Sequence, residues 1–194
     1  MTPLANFLRR QRWILFGFIA IIAGTAEIEY GFGRSLLGPD GRFGWWDNNI
    51  WGSESSQRVA DVYSFTHMIH GMILYGCLWF LARKLPVRHR LLIALLLEAG
   101  WELLENSPII IHRYREATIA QGYTGDSILN SMCDILCMAV GFGLASRLKL
   151  RTTLVAMVVI EVGLLLWVRD NLTLNVLMLV YPCQAIQGWQ AAGH

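Results

Sequence analysis

Glu98, Glu102 and Glu105 recur at i, i+4 and i+7 inside a stretch that is otherwise apolar, and Asn106 follows them directly. A helix places that spacing on one face. Asp126, Asn130 and Asp134 repeat the pattern at i, i+4 and i+8 in a second apolar stretch, with modest drift around the axis. His67 and His70 stand one turn apart in another, Glu161 sits near the middle of the fifth along the chain, and Glu27 and Glu29 fall toward the outer end of the N-terminal one. Carboxylates crowded into a low-dielectric space cannot all stay ionised. One protonated and one ionised carboxyl together suit general acid–base hydrolysis. The candidate pairs are Asp126 with Asp134, or Glu102 with Asp134; Glu98, deep in its segment, joins the catalytic set. Asn130, between the aspartates, would orient a water or a substrate carbonyl. Asn106, Arg113 and Arg115 would bind substrate, the two arginines by bidentate contacts to a phosphate-bearing headgroup. His67 and His70 with neighbouring acids are candidate ligands for a transition metal, zinc or iron. Their spacing, His67-Met68-Ile69-His70, is not the i, i+4 of the zinc-protease helix.

Each group also has a plainer reading. Glu27, Glu29 and Glu105 suit an interfacial position near a helix end, and Asp126 suits an N-cap. His67 and His70 could be hydrogen-bonding partners between helices, and Arg113 and Arg115 could be headgroup anchors. Asp134 and Glu98 resist such readings, because each lies two turns or more inside its segment.

The elements that must position these residues are membrane helices. Of 194 residues, 55% are hydrophobic and 15% charged, with mean hydropathy +0.43. Soluble domains carry nearer a quarter charged residues. The length fits one domain. A net charge of +2 with no basic run outside short loops excludes a nucleic-acid partner. Cys77, Cys133, Cys137 and Cys183 lie in apolar stretches without a CxxC spacing and are read as small packing groups.

A bilayer core needs about twenty residues of apolar helix. Five segments qualify, at about 13–30, 63–82, 91–111, 126–146 and 152–168. The expected fold is therefore all-α, a polytopic helix bundle. The basic start and the small residues Ala23-Gly24-Thr25-Ala26 would also suit a cleavable signal, but the run is read as a retained first helix. Residues 172–181, closed by Pro182, are too short to cross and are expected to be interfacial or re-entrant. Placing the N-terminus inside puts ten of the 16 Lys and Arg residues on the inner side, including Arg9, Arg10 and Arg12. That bias predicts a cytoplasmic N-terminus and a periplasmic C-terminus. The outer loop at 31–62, with Gly44-Trp45-Trp46 and Trp51-Gly52, is expected on the leaflet surface, where indole rings prefer to sit. With this topology, three helices aim polar faces at one outer-half cavity while their inner halves stay apolar.

The run Glu102-Leu-Leu-Glu105-Asn106-Ser107-Pro108, continuing through Arg113-Tyr114-Arg115, resembles a family of bacterial inner-membrane proteins known only as a domain of unknown function. Gly125-Asp126-Ser127, Asn130-Ser131, Asp134, Ser64-Phe65-Thr66-His67, His70-Gly71 and Arg169-Asp170-Asn171-Leu172-Thr173-Leu174-Asn175 carry the same resemblance from about residue 53 to 189. The family pattern has an acidic residue where this chain has His112. An acidic helix followed by Gly-Asp…Asn…Asp also resembles, more distantly, the VanZ-like proteins of envelope physiology. The resemblance implies a multi-pass protein of the bacterial inner membrane and names no reaction.

Three functions are consistent with these residues. One is an enzyme acting at the outer leaflet on a lipid or lipid-linked substrate, as a hydrolase or transferase. The second is a non-catalytic subunit or lipid-binding protein of a larger membrane complex or homo-oligomer. The third is a proton-coupled transporter, since intramembrane acids carry protons; the apolar inner halves leave it no complete path.

Overall fold

A computed structural model describes residues 3–47, 49–52 and 54–192, with side chains from Arg12 onward, so the side chains of Arg9 and Arg10 lie outside the described residues. The described chain is all-helical apart from one short strand pair. In order it forms α1 (Pro3–Gly31), β1 (Trp46–Asp47), β2 (Ala60–Asp61), α2 (Ser64–Leu81), α3 (Val87–Glu105), α4 (Pro108–Ala117), α5 (Ile128–Ala145), α6 (Leu150–Val168), α7 (Leu172–Val180) and α8 (Gln184–Ala191). Among the described residues, three helices are long and apolar enough to cross a membrane: residues 12–31 of α1, α5 and α6. Their outward faces are bare aliphatic and aromatic surface. Leu15, Phe16 and Ile19 on α1, and Val155, Val158, Val159 and Leu166 on α6, are all exposed. A water-soluble protein does not tolerate a patch of that extent. The three apolar helices and their bare faces point to a membrane protein.

α2 and α3 are of comparable length, at 18 and 19 residues. α3 is the polar one of the two, with three glutamates, whereas α2 is as apolar as α5 and α6 apart from its two histidines. The expected third segment, 91–111, is not one helix. Asn106 caps α3, and Ser107 accepts a hydrogen bond from the Ile110 N–H to open α4, with Pro108 at its first turn. Proline there needs no donor and disfavours helical geometry in the residue before it. The chain therefore turns at Asn106-Ser107-Pro108.

α2 and α5 run parallel and cross at two glycines. A Cβ on Gly71 would lie 1.9 Å from the Met138 carbonyl oxygen, and one on Gly141 would lie 1.9 Å from that of Met68. Only hydrogen fits at either point, so the backbones pack as small-residue membrane helices do. Below this crossing lies the main core, where Leu78, Leu95, Ala99, Ile135, Met138 and Phe142 are buried together. α3 closes the other side of that core and packs along α1, with Leu92 against Gly17.

The loop at 31–62 does more than lie on a surface. The backbone carbonyls of Ser56, Ser35 and Leu36 accept the N–H groups of Ser127, Ile128 and Leu129 at 3.0, 3.0 and 3.2 Å. These are the orphan donors that every helix start exposes. The loop thus plugs the N-terminal end of α5, and its Ile50 and Val62 pack with Ile119, Leu164 and Val168. Trp45 and Trp46 remain exposed, the latter stacked on Trp167.

Glu161 is no isolated charge. It accepts the N–H groups of Leu172 and Thr173 at 3.0 and 3.1 Å, and also the Thr173 hydroxyl. A carboxylate at a helix N-terminus meets both free donors and the positive end of the dipole. Glu161 thereby folds α7 back against α6. α8 is held through Asp170, which accepts from Tyr63 at 3.0 Å and from Gln190 at 3.1 Å.

Burial raises the Asp170 carboxyl to about 6, against hydrogen bonds from Tyr63, Asn171, Asn175 and Gln190 that lower it. A carboxyl raised on folding stabilises the fold below its unfolded value of 3.8, and that contribution is lost as pH rises toward 6. Asp170→Asn keeps the acceptor for Gln190 and lets the Tyr63 hydroxyl turn to accept. Thermal melts in detergent are expected to show the wild type losing stability between about pH 4 and 6, by about 3 kcal/mol from this group. The variant is expected to show a flatter profile and a higher melting temperature at pH 7.

Candidate functional site

The polar faces of α2, α3 and α5 meet around one imidazole. His67 and His70 lie on the α2 face turned to α3, and Glu98 and Glu102 lie one turn apart on α3. Glu98 Oε1 stands 2.7 Å from His67 Nδ1 and 3.0 Å from His70 Nδ1. Glu102 Oε1 is 3.3 Å from the same His67 nitrogen. The opposite ring nitrogen, Nε2, faces Asp134 of α5 at 3.9 Å. The Ser64 hydroxyl donates to Asp134 Oδ1 at 2.8 Å, so the first residue of α2 fixes that carboxylate. Glu102 is fully buried, and neither of its oxygens accepts a hydrogen bond.

A second cluster joins the end of α3 to the start of α5. Asn106 donates to Asp126 Oδ2 at 2.9 Å and accepts the Asp126 N–H at 2.7 Å. The Tyr123 hydroxyl donates to Asp126 Oδ1 at 2.9 Å. Asp126 precedes the helix and does not cap it; Ser127 does, accepting from the Asn130 N–H. Burial raises the Asp126 carboxyl to about 6, and the charge of Asp61 adds to the rise, while hydrogen bonds from Tyr123 and Asn106 oppose it. Burial, reinforced by Glu105, likewise pushes the Tyr114 hydroxyl well above its usual range.

Between the two clusters lies a cavity of about 300 Å³. His67, His70, Glu98, Glu105, Asp126 and Asp134 supply its polar lining. Ile73, Leu74 and Leu97 with Trp101 form an apolar flank between α2 and α3, and Leu172 and Val176 of α7 close another side. The basic connections between α2 and α3 and between α5 and α6 lie at the far end of the bundle.

Four of the residues singled out from sequence do not line this cavity, and a fifth lies just behind its wall. Asn130 spends its amide on the Arg58 carbonyl at 3.0 Å, holding the loop down. Asn106 is a clamp between helices. The turn at Pro108 carries Arg113 and Arg115 away: Arg113 Nε donates to the Leu179 carbonyl at 2.8 Å, and Arg115 Nε to that of Tyr123 at 2.6 Å. Glu102 sits behind Glu98. Sequence spacing also passed over residues that belong to the site. Ser64 and Tyr114 stood inside recognised motifs, but Tyr123 and Trp101 gave no signal, because their role depends on how loops fold back. Glu29, read as interfacial, is fully buried.

The family model described as "Protein of unknown function (DUF2585)" matches residues 29–192. A UPF0314 protein of Rhizobium etli (strain CIAT 652) is 44% identical, with 94% of each chain covered. One from Sphingopyxis alaskensis is 44% identical over 96% of this chain and 98% of its own. Another, from Paracoccus denitrificans, is 43% identical over 99% of both. No solved structure matches the chain. The likeness to VanZ-like proteins rests on the short motifs alone. A match over the whole bundle, from the end of α1 through α8, places this chain in the DUF2585 family.

Proposed function

We propose that this is a five-span protein of the bacterial inner membrane whose outward-facing cavity acts on a lipid or lipid-linked substrate by acid–base chemistry. α1, α2, α3, α5 and α6 would cross, with the N-terminus inside. The basic connections at the far end then face the cytoplasm and the cavity lies toward the periplasm, in accord with the positive-inside bias. One observation supports the reading above the others: the cavity pairs carboxylates and imidazoles on one side with an aliphatic flank on the other. That lining fits an amphipathic ligand whose polar head is processed while its chain lies between α2 and α3.

Within that reading the two aspartates divide the work. One of Asp126 and Asp134, both of which line the cavity, takes a proton from the attacking water or hydroxyl, and the other gives one to the leaving oxygen. The base ends protonated and the acid ionised, and one proton passing from the first to the second through solvent restores both. Such proton transfers contribute roughly 10²–10⁴-fold each.

The test is a chromosomal deletion complemented with wild-type protein, Asp134→Asn, Asp126→Asn or Glu102→Gln, with envelope lipids read by mass spectrometry. A lipid species that accumulates in the deletion, clears with wild type and persists with folded Asp134→Asn supports an enzyme. Loss of the variant proteins themselves would favour a structural network, because removing one buried partner strands the other. An unchanged lipid profile in the deletion contradicts the reading. Glu102→Gln is expected to accumulate close to wild type, since the carboxylate accepts no hydrogen bond and an amide oxygen can keep the 3.3 Å contact with His67.

A further inference from the structure

His67, His70 and Glu98 bring three ligand atoms within 4.8 Å of one another, and His67 also belongs to a second such group with Glu102 and Glu105. The acid–base scheme above leaves these histidines without a task. We propose that His67 Nδ1, His70 Nδ1 and Glu98, with Glu102 beside them, hold a single divalent transition-metal ion at the cavity wall. The proposal rests on the same cavity but not on any reaction in it.

Four observations carry it. The first is distance. Zinc binds imidazole and carboxylate at about 2.0–2.2 Å, which sets the ligand atoms of a tetrahedral site about 3.3–3.6 Å apart. The three contacts around Glu98 and His67 measure 2.7, 3.0 and 3.3 Å, so the ligand atoms are gathered, and the hydrogen-bonded 2.7 Å pair would open by about 0.6 Å as an ion replaces its proton. The second is Glu102, fully buried with both oxygens accepting no hydrogen bond. Burying a carboxylate in that state is costly, and a cation removes the cost. The third is the outer shell. Metal-bound imidazoles commonly offer their other ring nitrogen to a carboxylate. His67 Nε2 faces Asp134 across 3.9 Å, one small shift from such a contact, and Ser64 anchors Asp134 in turn. The fourth is access: His67, His70 and Glu98 all line the cavity, which leaves a coordination position open to water or substrate. Two nitrogens with carboxylate oxygens suit zinc, iron or manganese ahead of copper(I) or calcium.

The test uses the full-length protein in detergent, stripped with chelator, then dialysed against zinc and analysed for bound metal and for affinity by calorimetry. One zinc per chain is expected, with affinity reduced at least tenfold in His70→Gln and Glu98→Gln. His112→Gln, in an exposed pair with Glu116 on α4, is expected to bind as wild type does. If the site variants do not survive purification, cobalt(II) loaded into wild-type protein decides. Visible bands of an ion with nitrogen and oxygen ligands support the site, and the spectrum of hydrated cobalt overturns it. Zinc absent from wild type, or retained undiminished by folded Glu98→Gln, also overturns it. None of these readouts depends on lipid turnover, so the metal site and the proposed reaction stand or fall separately.

Discussion

Replacing Gly141 with valine is expected to abolish accumulation of the folded protein. Replacing it with alanine is expected to lower the melting temperature by about 6–12 °C, on the basis of about 3 kcal/mol for overpacking a rigid site. The effect follows from a single crossing. A Cβ at Gly141 falls 1.9 Å from the Met68 carbonyl, and one at Gly71 falls 1.9 Å from that of Met138. The atom in the way is backbone in both cases, so neither neighbour can swing aside. The helices must separate, and separation pulls Asp134 away from Ser64 and His67. Gly76 supplies the control: it lies on the same helix as Gly71, and a Cβ there meets nothing within 4 Å. Gly76→Ala is expected to be neutral or to stabilise by about 0.5–1 kcal/mol, as alanine usually does in a helix. Equal damage at Gly76 and Gly141 would show that the crossing is not where the tolerance is set.

The second large effect is expected at His67. Among the described residues, its ring is the one group within 4 Å of the carboxylates of Glu98, Glu102 and Asp134 alike. Removing one member of a buried polar set costs about 3–5 kcal/mol, because the remaining groups lose their partner and gain no water. His67→Ala is therefore expected to be among the most destabilising single changes outside the glycine crossing. The loss should be coupled to the carboxylates. Adding Glu98→Gln to His67→Ala is expected to cost less than Glu98→Gln alone, with a coupling of about 1–3 kcal/mol in a double-mutant cycle. Strict additivity, measured by denaturation in detergent or bicelles, would mean that the contact at 2.7 Å contributes nothing to the fold.

Much of this architecture was legible in the chain because apolar length and helical period are local signals. The structure starts α2 and ends α6 and α7 within a residue or so of where the apolar runs do. Period also put Glu98 and Glu102 on one face, and both reach the same nitrogen of His67. What the period could not show was the turn at Asn106-Ser107-Pro108. The breaker was in plain sight, but the isoleucines after Pro108 extended the apolar run and hid it. That one turn decides the fate of Arg113 and Arg115, which end on backbone carbonyls of other segments. Asn130 shares a helical face with Asp134, yet the loop crosses between it and the cavity and takes its amide. Glu161 looked like a buried charge because its partners are backbone N–H groups of a later helix, which sequence does not display. α8 escaped notice altogether, since Gln184–Ala191 is only eight residues long and only weakly apolar overall.

The same contrast explains why two of the five proposed spans fall outside the three that hydropathy alone picks out. The polar residues that would build the site are the ones that lower the apolar character of α2 and α3. Intramembrane charge is tolerated where it faces the protein interior, and His67, Glu98, Glu102 and Asp134 are all buried.

A photo-reactive phenylalanine analogue at Leu97, on the aliphatic flank of the cavity, gives the most direct test of an amphipathic ligand with its head at the His–carboxylate wall. Irradiated in native membranes, it should capture one lipid class in excess of its abundance, and Asp134→Asn or Glu98→Gln should change that selection. The same probe at Val159, on the exposed face of α6, should capture bulk lipid in proportion. Identical lipid profiles from the two positions would contradict the account.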